Sequence, residues 1–227
     1  MLMHFRNNVH ASVPGERAAL SSALTPVVFV VDDDVSVRES LELSIRCAGW
    51  QPSTFASAQE FLMCPPATVP SCLILDVNLP DLNGLDLQKR IADERNDMPI
   101  IFVTGYGDVP MTVRAMKAGA FEFLTKPFGD DVLLDTIRHA IERSDTTRRW
   151  RAQAQALRGR YALLTCRERE VMALVVTGKL NKQVAAELGI SEITVKAHRG
   201  KAMQKMAARS FADLVNMNAK LGQKSSA

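Results

Sequence analysis

The stretch "VVFVVDDDVSVRES", residues 27–40, sets five apolar residues directly before three aspartates. A short run of valine and phenylalanine reads as a fully buried strand, and Val37, Leu41, Ile45 and Ala48 recur at helical spacing until Gly49 stops the helix. Asp32, Asp33 and Asp34 carry like charges at adjacent positions. A fold gains nothing from such a cluster unless something positive is meant to sit there.

The alternation of strand and helix continues. "WQPSTF" (50–55) reads as a short strand that Pro52 confines to an edge, followed by a brief helix at 57–63. "SCLILD" (71–76) is an apolar strand ending in Asp76, and a helix at 84–95 follows the loop "NLPDLNG". "PIIFVT" (99–104), a helix from Val109 to Ala118, "FEFLT" (121–125) and a last helix at 130–143 complete the series. This pattern predicts an α/β domain with a doubly wound, five-stranded parallel sheet covered on both faces. In such sheets ligands bind outside the carboxyl ends of the strands. Asp32 and Asp33 follow the first strand, Asp76 closes the third, Thr104 closes the fourth, and Lys126 follows the fifth. Three carboxylates, a hydroxyl and an ammonium thus fall at four strand ends of one sheet.

Bulk properties divide the chain of 227 residues in two. Residues 1–147 carry 12 Lys and Arg against 20 Asp and Glu, and residues 148–227 carry 16 against 5. An acidic first part and a basic second part imply two domains with different partners, the basic one drawn to a polyanion. No apolar run approaches the roughly 20 residues that span a bilayer, so no membrane partner is expected. The opening "MLMHFRNNVHASVPGERAALSSALTP" lacks the apolar core of a signal peptide. Residues 1–25 read as a disordered extension, or as the product of a start codon set too early. Cys47, Cys64, Cys72 and Cys166 show no metal-ligand spacing and read as small buried thiols in a reducing cytoplasm.

The tags "VVDDD", "LDVNLPDLNG", "FVTGYGD" and "LTKPF" together resemble the receiver domain of two-component response regulators, a flavodoxin-like fold. Their spacings are 43 residues from Asp33 to Asp76, 28 on to Thr104 and 22 on to Lys126. The resemblance implies that Asp76 accepts a phosphoryl group from a phosphohistidine on a sensor histidine kinase. It also implies a Mg²⁺ ion, held by Asp33, Asp76 and the backbone carbonyl of Asn78, and by Asp32 through water. A hard divalent cation would answer the question of the clustered aspartates, because it neutralises them and the incoming phosphoryl oxygens together. Asp34 falls outside the motif and reads as solvated. By the same resemblance Lys126 meets the phosphoryl oxygens, the Lys126–Pro127 peptide is cis, Thr104 turns its hydroxyl to the new phosphoryl group, and Phe123 is a rotating switch aromatic. A plain core aromatic is the other reading of Phe123. The face made by the fourth helix, fifth strand and fifth helix is where the family dimerises.

A receiver over 26–143 leaves "SDTTRRWRAQAQALRGR" (144–160) as a mostly helical linker, interrupted if anywhere at Ser144–Thr147, where helix propensity is low. Residues 161–227 read as a small all-α domain. Thr165 and Glu168 form a capping box, Gly178 and Gly189 end helices, and Ser191 caps the next. Two short helices joined at Gly189–Ile190 predict a helix-turn-helix whose second helix enters the major groove of double-stranded promoter DNA. "LTCREREV", "NKQVAAELGIS" and "TVKAHRGKAMQKM" resemble the LuxR-type output domain, and the whole resembles the NarL/FixJ class of response regulators. On the recognition helix Val195, His198, Ala202 and Met206 form the packing stripe, with His198 expected to make a structural hydrogen bond. Thr194, Lys196, Ala197, Arg199 and Gly200 fall on the outer side. Lys196 and Arg199 are candidates for base or phosphate contacts, and Lys182, Lys201 and Lys205 for phosphate anchors.

The function this implies is a cytoplasmic, phosphorylation-controlled transcription factor, not an enzyme, that dimerises when phosphorylated and works with RNA polymerase. Two other readings compete. A Mg²⁺-dependent phosphatase of haloacid-dehalogenase type also forms an aspartyl phosphate, but its nucleophile follows the first strand, whereas Asp76 ends the third. A regulator that works without phosphorylation would lack the acidic set that this chain carries.

Overall fold

The computed structural model describes residues 25–105 and 107–222. The extension expected at the start of the chain lies outside the described residues, apart from Thr25. Two compact units meet in sequence between Asp145 and Thr146.

In the first unit β1 (Val27–Val31), α1 (Val35–Cys47), β2 (Gln51–Phe55), α2 (Ala58–Met63), β3 (Ser71–Asp76), α3 (Gly84–Ile91), β4 (Ile100–Thr104), α4 (Val109–Lys117) and β5 (Glu122–Thr125) alternate, and α5 begins at Asp130. All five strands are parallel, in the order β2-β1-β3-β4-β5. β2 is an edge strand, as Pro52 foretold, since a proline has no N–H for a second neighbour. Strand order reverses at β1, so the connections leaving β1 and β3 go to opposite sides and open a crevice between their carboxyl ends.

Side chains alternate across the sheet, and both faces are apolar because both are covered. Phe29, Val31, Leu73, Leu75 and Phe102 pack under Phe61 of α2, Leu87 and Ile91 of α3 and Ala115 of α4. Val28, Val30, Cys72, Ile74, Ile101 and Val103 pack under Leu41 and Ile45 of α1 and Leu133, Ile137, Ala140 and Ile141 of α5. Each fully buried aliphatic or aromatic side chain contributes about 1.5–3 kcal/mol.

Two expectations are corrected here. Only Cys72 among the four thiols is buried, and burial pushes its pKa up. Cys47, in the last turn of α1, and Cys166, at the start of a helix, are exposed, because neither lies on a core-facing stripe. α3 stops at Ile91, short of residue 95. Beyond it Arg95 folds back, its guanidinium 4.4 Å from the centre of the Phe61 ring and donating to the Cys64 carbonyl. The linker is helical throughout, and α5 runs unbroken from Asp130 to Ala162 through Ser144–Thr147. Ser144 is buried there and its Oγ accepts a hydrogen bond from the Ser71 N–H at 3.1 Å. That tertiary contact outweighs a weak local preference.

The second unit contains the end of α5, then α6 (Cys166–Val175), α7 (Asn181–Leu188), α8 (Glu192–Met206) and α9 (Phe211–Gly222). Leu157, Leu164, Val171, Met172, Val175, Val184, Val195, Ala202, Met206 and Leu214 form its core. The capping box of α6 is closed in both directions: Thr165 Oγ1 accepts from the Glu168 N–H, and the Thr165 N–H donates to Glu168 Oε2. Gly189 ends α7 at φ +65°, the left-handed conformation that lets the chain turn at once into α8. Ser191 then caps α8, its Oγ accepting from the Thr194 N–H.

Candidate functional site

β1 and β3 are neighbours in register, Val31 opposite Leu75, so the residues that follow them emerge side by side. Asp32, Asp33 and Asp76 therefore converge, with one carboxylate oxygen from each lying within 4.8 Å of the others. Asp32 is buried, Asp76 half-buried and Asp33 exposed. β5 brings Lys126 to the same point: its Nζ is 2.8 Å from Asp32 Oδ2 and 3.7 Å from Asp76 Oδ2. Three hard oxygen donors graded from buried to exposed, open on the solvent side, suit a Mg²⁺ ion that keeps part of its water.

Backbone groups fix these side chains. The Asn78 N–H donates to Asp76 Oδ1 at 3.1 Å, and the Asp34 N–H to Asp32 Oδ1 at 3.0 Å. Burial pushes the Asp76 pKa above the usual carboxylate value and the Asp32 charge adds to this, while the Asn78 N–H and the Lys126 ammonium work against it. The peptide between Lys126 and Pro127 is cis. The Lys126 N–H donates to the Thr104 carbonyl at 2.8 Å, which ties the lysine to the end of β4. Thr104 is fully buried. Phe123 is half-buried and packs on Phe102 with ring centroids 6.0 Å apart, so it belongs to the core in this state of the molecule.

Asp34 is more than a solvated charge. It caps α1, its carboxylate accepting from the Ser36 N–H at 2.8 Å. An acidic residue immediately before a helix serves the helix as its N-cap.

Four residues at this site escaped the sequence reading. Arg38 donates from Nη1 to the carbonyls of Asp32 at 2.7 Å and Asp33 at 2.9 Å, holding the acidic turn in place. Gly84 lets α3 approach β3: a Cβ there would stand 2.5 Å from the Asp76 carbonyl oxygen. At Gly107 a Cβ would stand 2.9 Å from the Phe123 ring and 3.3 Å from Thr104 Cγ2. Asp81 ties the loop after β3 to α2, accepting from the N–H groups of Ala58 and Gln59 at 3.2 and 2.8 Å. Desolvation would raise its pKa, but these two N–H groups with those of Asp81 and Leu82 outweigh it and hold the carboxyl low. The one signal available for the two glycines was their place within the quoted tags.

In the second unit α7 and α8 form the helix-turn-helix. Lys182, Lys196, Ala197, Gly200 and Lys201 are exposed. Thr194 is half-buried and its hydroxyl is 2.8 Å from that of Ser191, at the cap of α8. Arg199 lies against the bundle, its guanidinium 4.7 Å from the centre of the Phe211 ring and Nη1 3.4 Å from Asn181 Oδ1. Lys205, expected at a phosphate, instead bonds the buried carboxylate of Glu168 at 2.6 Å. A buried carboxylate is costly unless it is paired and hydrogen-bonded. His198 is half-buried, and its Nδ1 is buried with no hydrogen-bond partner among the described residues, in place of the expected structural bond. Among the described residues, no helix is long and apolar enough to cross a membrane.

Comparison with known proteins agrees with this division. Residues 28–138 match the response regulator receiver domain, and residues 162–218 match the bacterial regulatory proteins of the luxR family. The chain is 49% identical to nodulation protein W of Bradyrhizobium diazoefficiens over 208 residues, covering 92% of each protein. It is 40% identical to the transcriptional regulatory protein FixJ of the same organism over 195 residues, covering 86% of this chain and 95% of that one. Among solved structures, response regulator StyR superposes with a TM-score of 0.79 at 45% identity, covering 86% of this chain and 99% of that one. Full-length FixJ from B. japonicum gives 0.53 at 39% identity, covering 86% and 97%. With a receiver whose acidic crevice is complete and a LuxR-type helix-turn-helix after it, the chain belongs to the NarL/FixJ class of response regulators, which regulate transcription under the control of phosphorylation.

Proposed function

We propose that Asp76 is the phosphoacceptor, taking the phosphoryl group from a phosphohistidine of a sensor histidine kinase in the cytoplasm. The convergence of Asp32, Asp33, Asp76 and Lys126 at adjacent strand ends carries this reading. Asp76 Oδ1 is engaged by the Asn78 N–H, which leaves Oδ2, on the Lys126 side, as the oxygen that attacks phosphorus. The P–N bond to the kinase imidazole breaks as the new P–O bond forms, and the imidazole leaves with its electron pair. Asp33, Asp76 and the Asn78 carbonyl would hold Mg²⁺, and Asp32 would support it from behind. When bound, the ion neutralises charge on the phosphoryl oxygens in the transition state. Lys126 meets a further phosphoryl oxygen, and the Thr104 hydroxyl turns to another.

Dimerisation follows on the α4 face. Val109, Val113 and Met116 lie at i, i+4 and i+7 on α4 with 77%, 43% and 43% of their surfaces exposed. An apolar stripe of this kind on a surface helix suits a second copy of the same helix. Thr104 on β4 and Phe123 on β5 follow Asp76 on β3 in the sheet order, α4 connects these two strands, and inward movement of Phe123 couples the phosphoryl group to the stripe. Two output domains then read two half-sites, with Lys182, Lys196 and Lys201 on the DNA, and RNA polymerase is recruited or excluded there.

Incubation with acetyl phosphate and Mg²⁺, followed by mass analysis of peptides, tests the acceptor. A single phosphoryl adduct on the peptide containing Asp76, absent from Asp76→Asn, is expected. An adduct elsewhere, or none, contradicts the assignment.

A further inference from the structure

Ile193 lies in the first turn of α8 with 80% of its surface exposed. At 100° per residue Ile193, Lys196, Ala197 and Gly200, spaced i, i+3, i+4 and i+7, share one face of the helix. The opposite face holds Val195, Ala202 and Met206, each at 0% exposure in the core of the unit. Lys196, Ala197 and Gly200 are all exposed, and a Cβ at Gly200 would meet nothing within 4 Å. The outer face of the first two turns therefore presents a branched aliphatic chain, a methyl group, bare backbone and an ammonium.

A lone exposed isoleucine on a protein surface needs no explanation. This one stands at the start of the second helix of a helix-turn-helix, where side chains meet base edges. It cannot accept or donate a hydrogen bond, so it cannot read the donor and acceptor pattern of the groove. The major groove offers one apolar feature, the C5-methyl group of thymine. The low profile of Ala197 and Gly200 beside it allows the helix to come close enough for van der Waals contact.

We infer that Ile193 is a specificity-determining residue that selects thymine in each half-site by contact with the C5-methyl group. The inference rests on α8 entering the major groove, and the test separates the two. The full chain, phosphorylated with acetyl phosphate and Mg²⁺, selects duplexes from a random library. The selected duplex is then synthesised with each thymine in turn replaced by deoxyuridine, which deletes only the methyl group.

For the wild type, one or two replacements per half-site are expected to raise Kd about three- to tenfold at matched salt. Ile193→Ala should bind the unmodified duplex weaker by a similar factor and be indifferent to those replacements, with Ile193→Val between. Its salt dependence should equal that of the wild type, because no phosphate contact is lost. Wild type that selects a consensus yet tolerates every methyl deletion overturns the thymine reading alone. Ile193→Ala that remains as sensitive to methyl loss as the wild type overturns the role of Ile193. A wild type that selects no consensus contradicts groove entry and the inference together.

Discussion

Lys126 is bound to Asp32 more closely than to Asp76: its Nζ lies 2.8 Å from Asp32 Oδ2 and 3.7 Å from Asp76 Oδ2. The buried Asp32 carboxylate thus has its own counter-charge, and Asp76 keeps one oxygen loosely held. Lys126 also competes electrostatically with any cation that the three carboxylates bind. Lys126→Met should therefore tighten Mg²⁺ binding by about thirtyfold, the effect (about 2 kcal/mol) of removing one unit charge about 4 Å from a divalent ion in solvent, yet slow phosphoryl transfer. Calorimetric titration and acetyl phosphate kinetics on the same variant check both. Weaker Mg²⁺ binding would mean that the lysine orders the carboxylates more than it repels the ion.

Gly84 brings α3 against the backbone of Asp76. An alanine there would place its Cβ 2.5 Å from the Asp76 carbonyl oxygen and 3.2 Å from the Phe102 ring. The first of these neighbours is backbone and cannot swing aside. Gly84→Ala should destabilise the receiver by about 1–3 kcal/mol, the range for overpacking, and lower the phosphorylation rate by displacing Asp76. Urea unfolding measures the first effect. An unchanged midpoint would show that α3 shifts freely.

Glu168 joins the capping box to α8 through Lys205. The Lys205 hydrogen bond comes first, and the Thr165 N–H next, in pulling its pKa from an ordinary 4.5 to about 2, against the opposing effect of burial. A carboxylate with a depressed folded-state pKa adds stability above its unfolded pKa and loses it as pH falls. The second unit should thus lose stability between about pH 4.5 and pH 2. Lys205→Met should cost about 1–2 kcal/mol at pH 7, allowing for screening at the partly exposed ammonium, and flatten that acid dependence. Thermal unfolding of the full chain across pH checks this. A large fall in DNA affinity with no change in melting would restore Lys205 to the groove.

Gly200 lies within the unbroken α8 with open space around it. Alanine in its place should stabilise the helix by about 0.5–1 kcal/mol while weakening specific DNA binding, since the added methyl would meet the groove wall. Denaturation of the full chain and titration of selected duplex at matched salt separate the two effects. Equal DNA affinity would mean that the glycine is merely tolerated.

Much of this was legible in the sequence because local rules governed it. Pro52 marked an edge strand, Thr165 and Ser191 marked caps, and Gly189 marked a left-handed turn, each within a few residues of the feature it controls. The acidic crevice was legible because strand ends of a parallel sheet converge wherever the strands are in register. What the sequence hid depends on distant partners. Ser144 stays helical because of Ser71, and Lys205 faces Glu168, 37 residues before it in the chain. Charge and spacing alone place both Lys205 and Arg199 on the groove side, and only the packed bundle distinguishes a cation held by Glu168 or Phe211 from one that faces outward. The left-handed end of α8 falls on Ala207 at φ +55°, where no glycine announces it.

The affinity of the full chain for its selected duplex, measured with and without acetyl phosphate and Mg²⁺ on wild type and Asp76→Asn, tests most directly whether a phosphoryl group on Asp76 controls DNA binding. Wild type should bind at least about tenfold more tightly once phosphorylated, a coupling of about 1.4 kcal/mol, and elute as a dimer, while Asp76→Asn should show neither change. An equal gain in Asp76→Asn, or no gain in wild type that mass analysis shows to be phosphorylated, would contradict the account.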